Sequence, residues 1–516
     1  MPQEAQRGKS APKPAGSGAG DLLGEEVRSR ETADLVFGVT GYVGSGLSHV
    51  AAALAEQLKD AGFEPYLVSL SDQLAAQMGL ERTHSKKIAD VVPLQDAGDK
   101  LRENHGASIV AGLGIKEIRR LRKIESEPRA FVVDSIKHPK EVEVLRAVYG
   151  RGFYLIGVLC NWKVRLNRLK IKFKNEPHVS SIEHMMRRDE AGPDDYGQQV
   201  RKTLHLSDFF VANDTESLNE GEEELGDALE RFVQAVTGAQ VVRPNRDEKG
   251  MHAAWGASLR SSCMSRQVGA AVMSKTGEVL ATGTNDPPAP GGGLYTEDSR
   301  EDKRCFMWQE NESRGYCRND RKKGEIYDDI HEQLYNIGAL EADVTVEQIA
   351  KALQRTRVRD LIEFSRAIHA EMDALLAIAR SGVGIPSGSS LYCTAFPCHS
   401  CARHIVAAGL TKVVYLEPYD KSLALELHAD AVRETSVTSP KDASSGDKRV
   451  LLQLFTGVAP RRFAALFEKR RALKTGDGSL VRLGKGAAHA DPVLKRSFLQ
   501  LEEELAEKVD SALQVS

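Results

Sequence analysis

The sequence predicts an α/β protein with two successive units, each built around a sheet that contains parallel strands. Short apolar runs alternate with helical stretches from about residue 32 to 240, and the alternation returns from about residue 250 to 475. Parallel strands need helical crossovers between them, so this alternation favours parallel sheets. The polar segment 240–250 is typical of a linker, and 516 residues leave room for roughly two to four domains.

The strands of the first unit are predicted at residues 35–40, 65–70, 108–111, 131–133, 154–159 and 209–212. Its helices are expected over residues 47–61 and in a segment that ends near residue 236. The second unit is predicted to contain helices at 251–261 and 367–380, and strands at 268–273, 279–284, 391–394 and 412–416. Residues 286–344 interrupt this unit as a long polar insertion, of a length that is uncommon unless functional.

The two ends of the chain differ from the units between them. Residues 1–31 are rich in Gly, Ala, Pro and Ser without an apolar run, which predicts a disordered leader and not a signal peptide. Residues 476–516 are expected to form an extension that ends in an amphipathic helix. Phe455, Val458 and Phe463 are expected to complete the core of the second unit.

Composition narrows the classes of function. Hydrophobic residues at 41% and charged residues at 28% are typical of a soluble globular protein. The net charge of −3 gives no general attraction for a nucleic acid, and no apolar run approaches the ~20 residues that span a membrane. Seven scattered cysteines indicate a reducing compartment, so we expect a cytoplasmic protein whose clustered cysteines bind metal or act in catalysis.

Two short motifs in the second unit carry metal chemistry, His369-Ala370-Glu371 and Pro397-Cys398-His399-Ser400-Cys401. One His and two Cys offer a set of N, S and S ligands that leaves a fourth zinc position open for water, as catalytic zinc requires. Cys398 and Cys401 fit one helical turn, where the helix dipole favours thiolates. Glu371 is the expected proton carrier. This combination is typical of zinc deaminases that act on cytosine or adenine.

A closed structural zinc knuckle is the alternative interpretation of these motifs. Such a site would need a second Cys pair at the right spacing, and it would leave Glu371 without a role. Cys393 lies on the predicted strand before the Cys pair, and we expect it to be a packed thiol and not a fourth ligand.

A Gly-rich turn follows the first strand and opens a helix, as a phosphate loop does. The predicted nucleotide-binding residues are Gly41, Gly44, Ser45, Gly46 and Ser48. Leu47 occupies the position of the usual lysine, which argues against phosphoryl transfer. We therefore expect a P-loop NTPase-like unit that binds a regulatory nucleotide, with a structural relic and an active kinase as alternatives.

Two further segments of the first unit, 134–139 and 187–189, resemble nucleoside-monophosphate kinases. Asp134 ends the predicted strand at 131–133 and is the expected acidic partner for Mg²⁺ beside the loop. A magnesium-bound nucleotide is therefore the cofactor expected in this unit.

The second unit resembles deoxycytidylate deaminases from about residue 251 to 416. The resemblance is carried by the two metal motifs together with Ser262-Cys263-Met264-Ser265-Arg266-Gln267-Val268-Gly269-Ala270 and Gly283-Thr284-Asn285-Asp286-Pro287-Pro288. It implies a cytidine-deaminase-like α/β/α sandwich with a mixed five-stranded sheet. It also implies that His369, Cys398 and Cys401 hold zinc, that Glu371 shuttles protons, and that Asn285 hydrogen-bonds the deoxyribose.

The whole chain, a P-loop-like unit followed by a deaminase, resembles the bacterial anti-phage dCTP deaminases. The resemblance implies deamination of dCTP and dCMP, which drains the cytosine nucleotide pool during infection. It further implies a homo-oligomer such as a hexamer, and control by a small RNA or a nucleotide effector. The insertion at 286–344 departs from the compact family pattern and leaves the phosphate contacts unassigned.

A second zinc site is one of two interpretations of three further cysteines. Cys263, Cys305 and Cys317 could converge, with His331 as a fourth ligand, and some deoxycytidylate deaminases carry an extra zinc near the first of these positions. Three unrelated thiols are the other interpretation.

Three alternative functions remain beside a dCTP or dCMP deaminase of antiviral defence. One is a housekeeping dCMP deaminase that feeds dTMP synthesis. Another is a deaminase of single-stranded nucleic acid, which should show a basic groove with stacking aromatics; only 6% of the residues are aromatic. The third is a non-catalytic nucleotide sensor, against which an intact Glu371 argues.

Overall fold

The computed structural model describes residues 30–80, 88–122, 128–174, 178–190, 192, 195–215, 221–307, 309–310, 313–341, 343–417, 422–434, 446–469, 472–481, 493–494 and 496–514. Two six-stranded sheets with helices on their faces dominate these residues. The predicted α/β class is confirmed. Nearly all of the predicted leader lies outside the described residues.

The amino-terminal half contains strands β1 (Glu31–Thr32), β2 (Leu35–Gly41), β3 (Glu64–Ser69), β4 (Arg129–Ile136), β5 (Phe153–Leu159) and β6 (Phe209–Ala212). Its helices are α1 (Leu47–Asp60), α2 (Leu70–Gln77), α3 (Ile88–His105), α4 (Ile109–Arg122), α5 (Pro139–Tyr149), α6 (Trp162–Lys172), α7 (Val179–Glu190), α8 (Val200–Leu204) and α9 (Glu222–Thr237). Strands β6, β5, β2, β4 and β3 pair in that order and are all parallel, which confirms the parallel sheet predicted here.

The strand predicted at residues 108–111 is wrong, because this segment begins helix α4. Every residue from Ile109 to Ile115 is buried. A segment buried on all sides shows neither the helical nor the strand period, so its apolar run does not distinguish the two structures.

The second half contains strands β7 (Gly269–Met273), β8 (Val279–Thr284), β9 (Gln309–Glu310), β10 (Ser313–Arg314), β11 (Ser390–Ala395), β12 (Lys412–Glu417), β13 (Val432–Glu434) and β14 (Val450–Leu454). Its helices are α10 (Arg246–Ser258), α11 (Arg318–Asn336), α12 (Val346–Leu353), α13 (Ala370–Ser381), α14 (His399–Ala407) and α15 (Ala424–Leu427). The sheet order is β13-β14-β12-β11-β7-β8, with the first three pairings parallel and the last two antiparallel.

This mixed sheet lies between helix α10 on one face and helices α13 and α14 on the other. The α/β/α sandwich implied by the resemblance is therefore confirmed. The sheet has six strands and not five, because the three-residue strand β13 adds an edge beside β14.

The chain returns to the first sheet after β14. Strand β15 (Gly457–Val458) pairs antiparallel with β6, and Val458 is buried in the core of the first half. The expectation that Val458 completes the core of the second unit is therefore wrong. Phe455 packs in a cluster shared by the two halves, which includes Leu159 and Phe210 from the first half and Tyr392 from the second. The two sheets are therefore joined by a common apolar core.

The carboxyl-terminal residues also fold onto the first half. A short helix α16 (Phe463–Phe467) is followed by β16 (Val493–Leu494), which pairs with β1, and then by α17 (Arg496–Gln514). The amphipathic terminal helix is confirmed. Phe498 and Val509 pack among the residues of α4, where a Cβ atom on Gly112 would lie 2.6 Å from Val509. Among the described residues, no helix is both long and apolar enough to cross a membrane.

Candidate metal centre and phosphate loop

His369 is the N-cap residue of α13, and tight packing against β8 fixes its position. A Cβ atom on Gly283 would lie 2.1 Å from the carbonyl oxygen of Ala370, so this approach requires glycine. Asp373 anchors the same turn, because its Oδ2 accepts the backbone N–H of Thr284 at 3.1 Å. These contacts hold the first turn of α13, and His369 with it, against the sheet.

Cys398 and Cys401 lie at the amino-terminal end of α14, which follows β11. Cys398 is the N-cap residue, and its Sγ accepts the backbone N–H of Cys401 at 3.4 Å. Strand β11 is an interior strand of the sheet between β7 and β12. The pair therefore sits on rigid backbone at the carboxyl end of a central strand.

The structure brings the three predicted zinc ligands together. Nδ1 of His369 lies 3.4 Å from Sγ of Cys398 and 3.3 Å from Sγ of Cys401. Ligands bound at about 2.0–2.3 Å around a tetrahedral zinc are roughly 3.3–3.8 Å apart, so this geometry fits zinc held through Nδ1. In the part of the chain that the structure describes, no other group of three His, Cys, Asp or Glu residues places all its ligand atoms within 4.8 Å of one another.

The electrostatics of the cluster favour a thiolate. The hydrogen bond from the Cys401 thiol, together with that from His369, lowers the pKa of Cys398 to about 4. The same contact and burial raise the pKa of Cys401 well above its ordinary value. The hydrogen bond with Cys398 raises the pKa of His369 to about 9. Zinc held by these residues would take the place of the shared protons, because it binds thiolates and neutral imidazole.

Glu371 lies in the first turn of α13 and is only 4% exposed. Burial raises the pKa of its carboxyl, because the charged form loses its hydration. A carboxyl in such a position can hold a proton and release it again beside the metal ligands.

Cys393 is separate from the cluster. It is fully buried on β11 within the apolar core, and burial raises the pKa of its thiol well above the ordinary value. It is a packed thiol, as the sequence predicted.

A cavity of about 330 Å³ opens over the cluster, which is within the size range of small-molecule sites. His369, Glu371 and Cys398 form part of its wall. The cavity gives the ligand cluster and the buried carboxyl a common space in which a small molecule can bind.

Asn285 lines this cavity, yet its side chain is already hydrogen-bonded to backbone. Its Oδ1 accepts the N–H of Val268 at 2.7 Å, and its Nδ2 donates to the carbonyl of Arg266 at 2.8 Å. Asn285 therefore holds the loop before β7 in place. A carboxamide oxygen can accept a second hydrogen bond, so this role leaves room for a ligand contact.

Three arginines that the sequence analysis did not assign also line the cavity, Arg266, Arg318 and Arg366. Arg266 forms an ion pair with Glu417, and Arg366 donates to the carbonyl of Lys303 at 2.7 Å. Only the position of Arg266 inside the segment 262–270 could have drawn attention to one of them. The other two come from the insertion and from the segment before α13, which meet only in the folded chain.

Cys263, Cys305 and Cys317 line the same cavity, but they do not form a described metal cluster. His331, the expected fourth ligand of a second zinc, is engaged elsewhere. Its Nε2 lies 2.8 Å from the carbonyl oxygen of Val344, and its ring stacks on Tyr335. His331 is not among the residues that line the cavity with the three cysteines, and the second zinc site stays a prediction.

The phosphate loop connects β2 to α1 as predicted. Gly41 ends β2, while Gly44 and Gly46 have φ angles of +86° and +81°, which favour glycine. Ser48 Oγ donates to Asp134 Oδ2 at 3.4 Å, so the hydroxyl and the carboxylate expected to bind Mg²⁺ lie side by side.

The side chains of Ser45 and Leu47 face the protein interior. Ser45 is fully buried, and its backbone carbonyl accepts the side-chain amide of Asn213 at 2.8 Å. Leu47 packs against the core of the first half. An apolar side chain therefore stands where a phosphate loop usually carries its lysine.

Comparison with known proteins identifies related sequences for both halves. Residues 244–417 match the family described as the cytidine and deoxycytidylate deaminase zinc-binding region. A UPF0200/UPF0201 protein of Archaeoglobus fulgidus is 33% identical over 178 residues, which are 34% of this chain and 50% of that protein. The dCMP deaminase structure from cyanophage S-TIM5, in apo form, aligns at 21% identity over 41% of this chain and 99% of that one, with a TM-score of 0.22.

The deoxycytidylate deaminase of Enterobacteria phage T4 is 30% identical over 165 residues, which are 32% of this chain and 74% of that protein. This identity extends over most of the relative, and the family match includes all three clustered ligands. The chain belongs to the deoxycytidylate deaminase family.

Proposed function

We propose that this protein hydrolyses the exocyclic amine of free deoxycytidine nucleotides, converting dCTP, dCMP or both to the deoxyuridine nucleotide and ammonia. The observation that carries the proposal is the buried Glu371 beside the cluster of His369, Cys398 and Cys401, with Glu371, His369 and Cys398 on the wall of one cavity. The phage T4 relative, a deoxycytidylate deaminase, supports dCMP as a substrate.

The chain's own groups are suited to move the protons of this reaction. Zinc held by His369, Cys398 and Cys401 would supply a Lewis acid and activate water near neutral pH. Glu371 accepts a proton from the attacking water and delivers it to the ring nitrogen, and then carries the proton of the added hydroxyl to the departing amine. Its burial keeps bulk water from competing for that proton. The products are a carbonyl on the pyrimidine ring and ammonia.

The cavity also supports a nucleotide in preference to a free base. Arg266, Arg318 and Arg366 bring positive charge to its wall, and a nucleotide carries phosphates that arginine binds well. In this proposal Asn285 accepts a hydrogen bond from the deoxyribose while it holds the loop before β7. A small cavity with arginines on its wall therefore suits a free nucleotide.

The amino-terminal half supports a nucleotide-binding, regulatory role. Its loop has the glycine conformations of a phosphate site, and Tyr42 in that loop packs against the core shared by the two halves. Occupation of the loop can therefore bias the deaminase through Tyr42. The physiological role we propose is depletion of the cytosine nucleotide pool in antiviral defence, by a homo-oligomer that a small RNA or a nucleotide effector controls.

A substrate panel tests the catalytic proposal. The purified chain is assayed for ammonia release with dCMP, dCTP, CTP and single-stranded DNA. We expect activity on dCMP, dCTP or both, and none on single-stranded DNA. Activity confined to dCMP would favour the housekeeping alternative, whereas activity on single-stranded DNA alone would overturn the proposal.

The phosphate loop is tested through Gly46, whose φ of +81° a β-branched residue does not tolerate. Gly46→Val should abolish binding of Mg-ATP in calorimetry and leave the zinc content unchanged. Gly79→Val is the matched control, because Gly79 also has a positive φ but has no neighbouring atom within 4 Å of an added Cβ. Equal binding by all three proteins would remove the loop as a nucleotide site.

A further inference from the structure

The phosphate loop contains a polar group with nothing to bind. The Ser45 hydroxyl is fully buried, and it has no hydrogen-bond partner among the described residues. A Cβ atom on Gly41 would lie 2.9 Å from it, so this hydroxyl faces the interior of the loop. Gly46, the N-cap residue of α1, makes no side-chain cap. A buried hydroxyl and an uncapped helix terminus both lack an acceptor, which a phosphate oxygen would supply.

A lysine just beyond the end of a neighbouring strand faces this loop. Lys137 directly follows β4, which pairs with β2 in the sheet. Its Nζ lies 2.9 Å from the carbonyl oxygen of Gly41, and its side chain is 14% exposed. The last residues of β4, just before Lys137, include Ser135 with φ of 65°, the one positive φ of a non-glycine residue among those described. Such strain is retained where the surrounding structure demands it, often at a functional site.

A carboxylate already occupies the space between this lysine and the loop. Oδ1 of Asp189, near the end of α7, accepts Lys137 Nζ at 2.9 Å. Its other oxygen, Oδ2, accepts the backbone N–H of Val43 at 2.6 Å. The Asp189 side chain is only 2% exposed. One anion held by a loop N–H group and a lysine ammonium makes the contacts that a bound phosphate would make.

We propose that Lys137 supplies the phosphate-binding charge that Leu47 cannot, and that Asp189 occupies the phosphate position until the polyphosphate chain of a nucleotide displaces it. Two anions cannot share one partly buried position beside a single ammonium without strong repulsion. Binding must therefore release Asp189 and with it the end of α7. This inference rests on the proposed nucleotide binding by the amino-terminal half, and it is independent of the deaminase site.

Calorimetric titration of the full chain with magnesium tripolyphosphate and with Mg-ATP tests the two residues. Lys137→Gln should weaken binding of both probes by at least about tenfold, because a charge-assisted hydrogen bond is lost. Asp189→Asn should tighten binding severalfold. Lys140→Gln is the matched control, since Lys140 is an exposed lysine paired with Glu143 on α5. Tighter binding of ATP than of tripolyphosphate would mean that the nucleoside adds contacts to the same site.

Binding that Lys137→Gln leaves unchanged, or that Asp189→Asn weakens in a folded protein, would overturn the inference while the loop remains a nucleotide site. No binding by any of the proteins would overturn both this inference and the proposed nucleotide binding. Thermal unfolding of each variant establishes that it is folded.

Hydrogen exchange of the unmodified chain tests the displacement without a mutation. Saturating tripolyphosphate should slow amide exchange in residues 43–48 and accelerate it in the last turn of α7. Slower exchange in the loop with no change in α7 would contradict the displacement of Asp189.

Discussion

The metal centre and the phosphate loop occupy equivalent places in their sheets, at the carboxyl ends of interior strands, but their side chains are arranged differently. At the metal centre, His369, Cys398 and Cys401 turn toward one another, and His369 and Cys398 also line an open cavity. At the phosphate loop, Lys137 and Asp189 pair with each other and with the loop backbone. The deaminase half therefore presents its chemistry to a ligand, whereas the amino-terminal half covers its binding groups with its own side chains.

A complete sequence motif and a site that is open to a ligand are therefore separate properties. The three candidate metal ligands contact one another, an arrangement that a cation would satisfy. The Val43 N–H group of the loop and the Lys137 ammonium are bound by Asp189, so a ligand must compete with Asp189 for them. The open metal centre suits a reaction that needs no prior rearrangement, and the covered phosphate loop suits regulation by a ligand.

The largest expected effect separates the clustered thiols from the packed one. Cys401→Ala should abolish both zinc content and deaminase activity, because two protein ligands rarely hold catalytic zinc. Cys393→Ala is the matched control and should keep its zinc, since Cys393 lies in the apolar core. Mass spectrometry measures the zinc content of both variants, and ammonia release measures their deaminase activity. Full zinc content in Cys401→Ala would exclude the ligand set.

Glu371→Gln should reduce kcat by about 10²–10⁴-fold with zinc retained, because the proton carrier is lost while the ligands remain. The exposed Glu426→Gln is the control and should behave as the unmodified chain. Unchanged kcat in Glu371→Gln would remove the carboxyl from the mechanism.

Phe498→Ala should destabilise the amino-terminal half by about 3 kcal/mol, because it opens a cavity between α17 and α4. Leu499→Ala, at the next position on the same helix, should cost far less, since Leu499 is 40% exposed and Phe498 only 4%. Denaturant unfolding is followed by two signals, zinc release from the deaminase half and nucleotide binding by the amino-terminal half. Comparing the two transitions shows which half has lost stability. A loss shared equally by both halves would contradict the packing of α17 on the first half alone.

The smallest expected effect is a dependence of stability on pH through His205, which lies near the junction of the halves. Burial, and then the charges of Arg266, Arg201 and Arg461, lower the pKa of His205 to about 4, below the value of about 6.5 expected in the unfolded chain. The unfolded chain therefore binds the extra proton first, and stability is lost as the pH falls from about 6.5 toward 4.

The expected size of this loss is on the order of 2 kcal/mol, reduced from the full shift because the side chain is only half-buried. His205→Gln should remove this part of the pH dependence of the free energy of unfolding, measured across the same pH range. An identical slope in the variant would show that other groups cause the dependence.

Most of the secondary structure could be predicted because its patterns are local. The strands that lead into the loop and into the Cys pair follow from apolar runs bounded by Gly and Pro. The segment at 108–111 could not be assigned, because the first two turns of its helix are buried on every side and have no polar face to reveal their period. Val458 was assigned to the wrong core because β15 pairs with β6, from which the whole second sheet separates it in the sequence, and no local pattern encodes such a pairing.

The candidate metal ligands, the proposed proton carrier and the missing lysine of the loop could all be predicted from the sequence, because each depends on residue types at short, fixed spacings. Only the tertiary structure decided that His369 presents Nδ1 to the thiols and that three arginines meet around the cavity. It alone also paired Lys137 with Asp189 across the loop. These contacts join residues far apart in the chain, and their geometry is set by how helices pack on the sheets and not by any spacing along the sequence.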